Sequence, residues 1–425
     1  MSIMKRMLFL FSLFVTVLSV SAQSRFMNIV QQSFAKPEQI YQYYIHHQID
    51  SIYAKGKGYL ADYLTYEQFS SQLAGLEENL GQPVEASVWE TKRLQDHEIY
   101  LRKLTFPHHT AMLVVAFSPE GELVGFSFSD VKSRLIEGEH AFAVTIADTI
   151  QLPARLTMPS NIKGRVPVAI LVHGSGPSNM DESLGVNAPF RDLSEGLARR
   201  GVAVVRFDKR TFVCPQFYAN AAGYTYDEET VDDVLSAIKL VKDSLSKVDG
   251  LSIDTSRVYI IGHSLGGMLA PRIAQRSGSV AGLVLLAAPT TKIRPTLERQ
   301  FTYLMKSEAV KKRDVQKLVD AALADLPEGY LDFDARYSGT KTASKLAIPM
   351  LILQGERDYQ VTMDDYAAWR KAVGSRKGVV MKSYPSLNHL FISGEGGSMP
   401  EEYSKPGRVA EEVMDDIANF ILSEK

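Results

Sequence analysis

The sequence predicts an α/β architecture, with a mostly parallel central sheet flanked by helices and a small α+β unit ahead of it. Three observations carry this. From about residue 133 onward, short apolar runs alternate with amphipathic stretches at helical spacing, the pattern of repeated strand–helix units. One of those runs, Val166–Val172 (VPVAILV), is unbroken, as a strand buried on both faces requires. Before residue 133 the order is different: helical stretches come first and alternating, hairpin-like segments follow.

In the leading unit, Tyr41, Tyr44, Ile45, Ile49 and Ile52 recur at helical spacing, and Pro37 is placed to start one helix through them. A second helix is predicted from Tyr66 to Leu80, stopped by Gly81. Glu98–Phe106, Thr110–Phe117 and Leu123–Phe128 read as strands, the last two joined by the turn Pro119-Glu120-Gly121-Glu122. In the second unit, Phe142–Ala147 and Gln151–Met158 read as an antiparallel pair. Strands are then predicted at Val166–Val172, Val202–Phe207, Arg257–Gly262, Val280–Ala288, Pro349–Gln354 and Gly378–Tyr384. Helices fall between them at Phe190–Arg200, Thr230–Val241, Gly267–Gln275 and Asp364–Val373, and Arg408–Leu422 closes the chain. Pro271, inside the third of these, should kink it. About residues 291–346 interrupt the rhythm with charged, mostly helical sequence, placed as a cap insertion would be.

Composition narrows the class. The 425 residues carry 47 Lys and Arg against 49 Asp and Glu, a net charge of −2, so no basic field favours a nucleic-acid partner. Hydrophobic residues make up 45% and charged ones 23%, the composition of a globular chain rather than a disordered one. The single cysteine, Cys214, can form neither an internal disulfide nor a thiolate zinc cage. Lys5 and Arg6 precede an apolar run from Leu8 to Val20, and Ser21-Ala22 supplies the small residues of a cleavage site. Residues 1–22 therefore read as a signal peptide, against an uncleaved N-terminal anchor as the alternative. An exported protein, periplasmic or secreted, with no stable membrane insertion after cleavage is the expectation.

The chemistry is concentrated at strand ends. Gly262-His263-Ser264-Leu265-Gly266 is a G-x-S-x-G sequence between a predicted strand and a predicted helix, the placement that a nucleophile elbow requires. A serine hydroxyl needs a base. Of the nine histidines, His389 lies past the last strand, whereas His46, His47, His97, His108, His109 and His140 lie before or at the start of the sheet. His173 belongs to another loop, and His263 points elsewhere from an elbow. The acid falls in Gly355-Glu356-Arg357-Asp358, where Asp358 reaches further out than Glu356. His173-Gly174-Ser175-Gly176-Pro177 follows the all-apolar strand, so the backbone N–H groups of Ser175 and Leu265 are the oxyanion-hole candidates. His173 itself is expected to hold the loop. Asp232 and Asp233 read as the solvated face of a helix.

With these motifs in hand, residues 140–425 resemble a secreted bacterial α/β-hydrolase of the esterase type. The likeness is to the cinnamoyl and acetyl esterase-like group in the dienelactone-hydrolase and prolyl-oligopeptidase neighbourhood. HGSGP, FDKR (Phe207–Arg210), GHSLGG, GERDYQVT (Gly355–Thr362) and NHLF (Asn388–Phe391) carry it. Dienelactone hydrolase proper uses cysteine where Ser264 stands, and the glycine that usually follows Asp-Lys-Arg is Thr211 here, which leaves the role of Arg210 open. Residues 23–132 loosely resemble the small domain similar to nuclear transport factor 2 that precedes some secreted hydrolases. The resemblance implies an α/β-hydrolase catalytic domain at 133–425, with Ser264 as nucleophile, His389 as base and Asp358 as its orienting acid. The order Ser, Asp, His along the chain is that of this family.

No H-E-x-x-H, no G-x-x-x-x-G-K-[ST] and no G-x-G-x-x-G after a strand is present, so no metal or organic cofactor is expected. The expected activity is hydrolysis of a small-molecule carboxylic ester through an acyl-enzyme. The insertion carries Phe301, Tyr303, Tyr330 and Phe333; an aromatic-rich cap over an uncharged pocket is one reading, and that most of these side chains only pack the cap is the other. A serine aminopeptidase or acyl-peptidase with the same triad is one rival, and an inactive hydrolase scaffold acting as a binding protein is another.

Overall fold

The computed structural model describes residues 34–56, 65–94, 96–106, 109–133, 135, 138–147, 149–160, 164–184, 187–215, 224–305, 312–324 and 326–423. The segment 1–22 read as a signal peptide, with Lys5 and Arg6, lies outside them, as does His108. The chain divides into two compact units after Arg134.

The first unit opens with helices α1 (Ala35–Ile45), α2 (Ile49–Lys55) and α3 (Tyr66–Leu80). Where one helix is predicted through Ile52, the chain breaks at His47, which takes φ 55°. The His47 amide donates to Tyr44 O at 3.0 Å and the Gln48 amide to Tyr43 O at 2.8 Å, the paired bonds of a Schellman cap. The break lets Ile40, Tyr41 and Tyr44 of α1 and Ile52 of α2 enter one core. Thr65 caps α3 in a reciprocal capping box with Gln68, and Gly81 ends it at φ 73°. Strands β1 (Glu85–Ala86), β2 (Glu90–Leu94), β3 (His97–Thr105), β4 (His109–Phe117) and β5 (Leu123–Ser133) form an antiparallel sheet, with β3 pairing both β1 and β2. The strand β5 runs five residues beyond the predicted end at Phe128, across a register shift between Thr110 and Met112 of its partner.

The second unit is built on an eight-stranded sheet. Its strands are β6 (Glu139–Ile146), β7 (Ile150–Thr157), β8 (Val166–Val172), β9 (Ala203–Phe207), β10 (Ile253–His263), β11 (Gly282–Leu286), β12 (Met350–Gly355) and β13 (Val379–Tyr384). Their order across the sheet is β13-β12-β11-β10-β8-β9-β7-β6. From β9 to β13 every pair is parallel, and β7 and β6 add an antiparallel edge. Every residue of β8 is buried. Val168, Ile170 and Val172 pack on one face of the sheet, while Ala169 and Leu171 pack on the other, which is why the run has no polar break. This is the α/β-hydrolase fold.

Helices α4 (Pro189–Arg199), α5 (Arg210–Val213), α6 (Asp232–Asp243), α7 (Leu265–Ser277), α12 (Met363–Val373) and α13 (Glu411–Ser423) connect or flank the strands, with one π-helical turn, Asp227–Val231, before α6. The insertion between β11 and β12 contains α8 (Ile293–Leu304), α9 (Lys312–Ala324), α10 (Glu328–Arg336) and α11 (Gly339–Ala343). Pro271 is accommodated inside α7, which spans it as a single helix. Among the described residues no helix is long and apolar enough to cross a membrane.

The connection after β8 leads to β9 on one side, whereas β10 lies on the other side of β8. Strand order reverses there, opening a crevice beyond the carboxyl ends of β8 and β10, the place where open α/β sheets bind ligands. His173 and Ser264 directly follow those two ends.

Candidate active site

Ser264 is held in a conformation few side-chain-bearing residues adopt, φ 52° and ψ −118°, which costs of order 1–3 kcal/mol. The surrounding pairing imposes it. The Ser264 amide donates to Leu286 O of β11 at 2.9 Å, and Ser264 O accepts from Met268 N at 3.0 Å to start α7. The turn closes only because its flanking residues lack side chains. A Cβ on Gly262 would lie 2.3 Å from Gly266 O, and one on Gly266 would lie 2.2 Å from Val172 O. The G-x-S-x-G spacing is thus a packing requirement, and it leaves Ser264 at the positive end of α7.

His389 and Asp358 meet. His389 Nδ1 and Asp358 Oδ2 are 2.6 Å apart, and both residues are buried. A carboxylate only accepts, so Nδ1 carries the hydrogen and Nε2 is left as the basic nitrogen. Asp358 is fixed in turn: its Oδ1 accepts from the amides of Gln360 at 2.8 Å and Val361 at 2.9 Å, and Oδ2 accepts from Gln354 Nε2 at 3.2 Å. Glu356 does not approach the imidazole; it accepts from Ser383 Oγ at 2.7 Å. Asn388 shapes the histidine loop by accepting from the amides of Leu390 and Ile392. Arg357 ties that loop to the acid loop by donating to the carbonyls of Ser386, Glu395 and Gly396. Among the described residues no hydrogen bond joins Ser264 Oγ to His389; such contacts commonly tighten only when substrate is bound.

The loop after β8 lies against the serine: a Cβ on Gly174 would sit 3.2 Å from Ser264 Cβ and 3.7 Å from its Oγ. Ser175 is exposed and Leu265 buried, and among the described residues neither amide is taken by another group. Both are available as donors. His173 is fully enclosed, its ring packed near Phe190 and Phe207 and its Nε2 3.0 Å from Asn179 O. Burial pushes its pKa down to about 4, so it is a neutral donor to that carbonyl.

The contacts of several neighbours of the site have no signature in the sequence. Glu182 Oε1 accepts the Gly174 amide at 2.5 Å, and its Oε2 lies 2.9 Å from His263 Nδ1. His263 Nε2 lies 3.0 Å from the His389 carbonyl oxygen, and the two rings are 4.6 Å apart. Lys209 reaches the same loop through its carbonyls, donating to Gly174 O and Gly176 O. Asp233 corrects the sequence reading: it is buried and bound by Arg210 through Nε and Nη2, which also gives Arg210 its role. Asp232 remains on the outer face, paired with Arg276 at 2.7 Å.

Beside the cap, a cleft of about 240 Å³ is lined by Arg299, Tyr303, Glu356, Arg357, Asp358 and Tyr359 among others. An adjoining cleft adds Glu298. Tyr303 stacks on Tyr359 at 5.1 Å, so the cap does present an aromatic face here. These clefts are charged, and neither is lined by Ser264 or His389. There Arg299 of α8 donates to Asp365 at 2.9 Å and to Gln360 O at 3.2 Å.

A model of the family described as "Alpha/beta hydrolase family" matches residues 169–410. Esterase EstD of Thermotoga maritima is 34% identical over 346 residues, which span 77% of this chain and 80% of that protein. Among solved structures, the Pyrococcus furiosus esterase Pf2001 is similar at 16% identity with a TM-score of 0.43, covering 67% of this chain and 91% of its own. Est1E from Butyrivibrio proteoclasticus is similar at 19% identity with a TM-score of 0.41, covering 67% and 98%.

Proposed function

This chain belongs to the alpha/beta hydrolase family, and on that premise we propose that it is an exported serine esterase working through an acyl-enzyme. The observation that carries the mechanism is the 2.6 Å Asp358–His389 pair at the same carboxyl edge of the sheet as the strained Ser264. His389 Nε2 takes the Ser264 proton as Oγ attacks the ester carbonyl carbon. The carbonyl π electrons move to oxygen, and the resulting oxyanion accepts hydrogen bonds from the Ser175 and Leu265 amides. Asp358 keeps the hydrogen on Nδ1 and stabilises the imidazolium. Collapse of the tetrahedral intermediate expels the alcohol, which receives the proton from Nε2. Water, deprotonated by His389, then attacks the acyl-enzyme, releases the acid and restores Ser264.

The esterase name of the 34% identical relative supports an ester over an amide. One observation favours the peptidase rival: Glu298, in the cleft beside the cap, offers a carboxylate to a free amine. A substrate panel separates the two. On short-chain nitrophenyl esters kcat/KM should exceed that on aminoacyl anilides by at least roughly a hundredfold, about 2.7 kcal/mol in transition-state binding. Comparable rates, or a preference for the anilide, would move the assignment to an exopeptidase. Export rests on the charged and apolar run at residues 5–22, and N-terminal sequencing of the mature protein should begin at Gln23.

A further inference from the structure

Backbone amides stabilise an oxyanion only when they are held in place beforehand, and a Gly-Ser-Gly loop left to itself has too much conformational freedom to do so. In this protein the loop is gripped through both of its backbone polarities by buried side chains that the triad does not use. Lys209 Nζ donates to Gly174 O at 2.8 Å and to Gly176 O at 3.0 Å, the carbonyls on either side of Ser175. Its charge is balanced by an ion pair with Glu229 of the π-helical turn, and both residues are buried. Glu182 Oε1 in turn accepts the Gly174 amide at 2.5 Å.

The peptide plane turns this grip into an aim. Gly174 O and the Ser175 N–H belong to one trans peptide unit and point in opposite directions. Fixing the carbonyl on Lys209 therefore fixes the direction of the N–H. Glu182 also connects the loop to the rest of the site through His263, the residue before Ser264. Nε2 of that ring faces the His389 carbonyl oxygen, and Nδ1 lies 2.9 Å from the Glu182 carboxylate, close enough to favour a charged ring although the two are not aligned as a hydrogen bond. Burial opposes that charge, but the Glu182 carboxylate outweighs it and raises the His263 pKa above the ordinary histidine range.

We propose that Lys209 and Glu182 are positioning residues that clamp the Gly174–Gly176 loop by its carbonyls and its amide, so that the Ser175 N–H is aimed at the oxyanion before substrate arrives. This deepens the serine-esterase reading and rests on it. Lys209→Met removes both donors at nearly constant volume. In the full-length enzyme it should lower kcat on a short-chain nitrophenyl ester by roughly 10- to 100-fold with KM within about twofold, less than the loss from deleting an oxyanion donor outright. Affinity for an alkyl trifluoromethyl ketone, whose adduct with Ser264 carries the oxyanion, should fall by the same factor. Lys209→Arg should restore part of both.

Ser264→Ala run alongside separates the two ideas. If Ser264→Ala keeps wild-type turnover, the nucleophile assignment fails. If Ser264→Ala is dead while Lys209→Met melts cooperatively and matches the wild type in kcat and ketone affinity, the clamp alone is overturned. Should Lys209→Met lack a cooperative melt, the near-isosteric Glu182→Gln carries the test. It should lower kcat and ketone affinity together by at least about threefold at unchanged KM. A folded Glu182→Gln enzyme that equals the wild type in both overturns the proposal.

Discussion

In the unit before residue 134 the buried side chains are Ile40, Tyr41, Tyr44, Ile52, Phe69, Trp89, Leu104, Phe106, Leu113 and their apolar neighbours. In the unit after it, Asp181, Arg206, Lys209, Glu229, Asp233, His263, Asp358 and His389 lie equally deep. Every buried charged residue among those described belongs to the second unit. Taking a charge out of water costs several kcal/mol per ion even after relaxation, so such groups are a poor means of holding a domain together. The first unit holds together without them. The contrast teaches that the second unit keeps its ionic groups where they fix geometry: Arg206 between Asp181 and Glu139, Arg210 on Asp233, Lys209 on the loop after β8.

The largest effect that could break this comparison is at the nucleophile. Ser264→Ala should cost roughly 10⁶-fold in kcat while the melting temperature stays near the wild-type value, and it should abolish labelling by an organophosphonate. Substantial residual hydrolysis would place the chemistry elsewhere. Next is Asp358→Asn, which keeps the side chain's shape but leaves His389 in the wrong tautomer. A loss of about 10⁴-fold in kcat is expected, and a loss below tenfold would show that the buried carboxylate is not the orienting acid.

A smaller effect concerns stability. His173 has its pKa lowered to about 4 by burial, against 6.5 as a free side chain. Between those values the unfolded chain binds a proton that the folded chain refuses, so this group makes stability fall as pH falls from 6.5 to 4, by about 1.4 kcal/mol per pH unit. Denaturant titrations of the wild type and of His173→Gln across this window isolate it, because other titrating groups cancel in the difference. Parallel curves would mean that His173 is not buried neutral. The smallest effect is the sharpest test of the division itself. A fragment beginning at Ser133 should melt cooperatively and keep kcat/KM on small esters within about threefold, since the second unit has its own core. A folded but inactive fragment would show that the apolar unit takes part in the chemistry after all.

What the sequence disclosed follows the same line. The places of Ser264, Asp358 and His389 were legible because Ser264 directly follows a strand and the other two lie within five residues of strand ends, in an order that chain position supplies. The strand β2, Glu90–Leu94 (ETKRL), was not legible because it offers a single apolar residue, and its pairing with β3 is what makes it a strand. The break at His47 was hidden because the apolar spacing runs on across it. Lys209 stood in the FDKR string, yet its partners Gly174 and Glu229 lie on other segments, and nothing local to Lys209 points to either. Glu182 had no signal of any kind. Asp233 was misread for the reason that a charge on a helix is ordinarily solvated, and only tertiary packing brings Arg210 onto it.

The insertion between β11 and β12 bears on how such a protein can change over time. Its two ends are pinned by neighbouring strands of one sheet, with Leu283 opposite Met350. Between Ala287 and Pro349 the chain completes that crossover: α8 and α9 pack on a small apolar cluster of their own around Val315, Val319 and Leu323, whereas Tyr330 and Ala343 further on enter the core of the second unit. None of Ser175, Glu182, Lys209, Ser264, Leu265, Asp358 or His389 falls within it. The α8–α9 part, which carries its own apolar cluster, is therefore where the gene can vary at least cost to the core. Diversification of what enters the crevice is thereby decoupled from inheritance of the machinery that cleaves it.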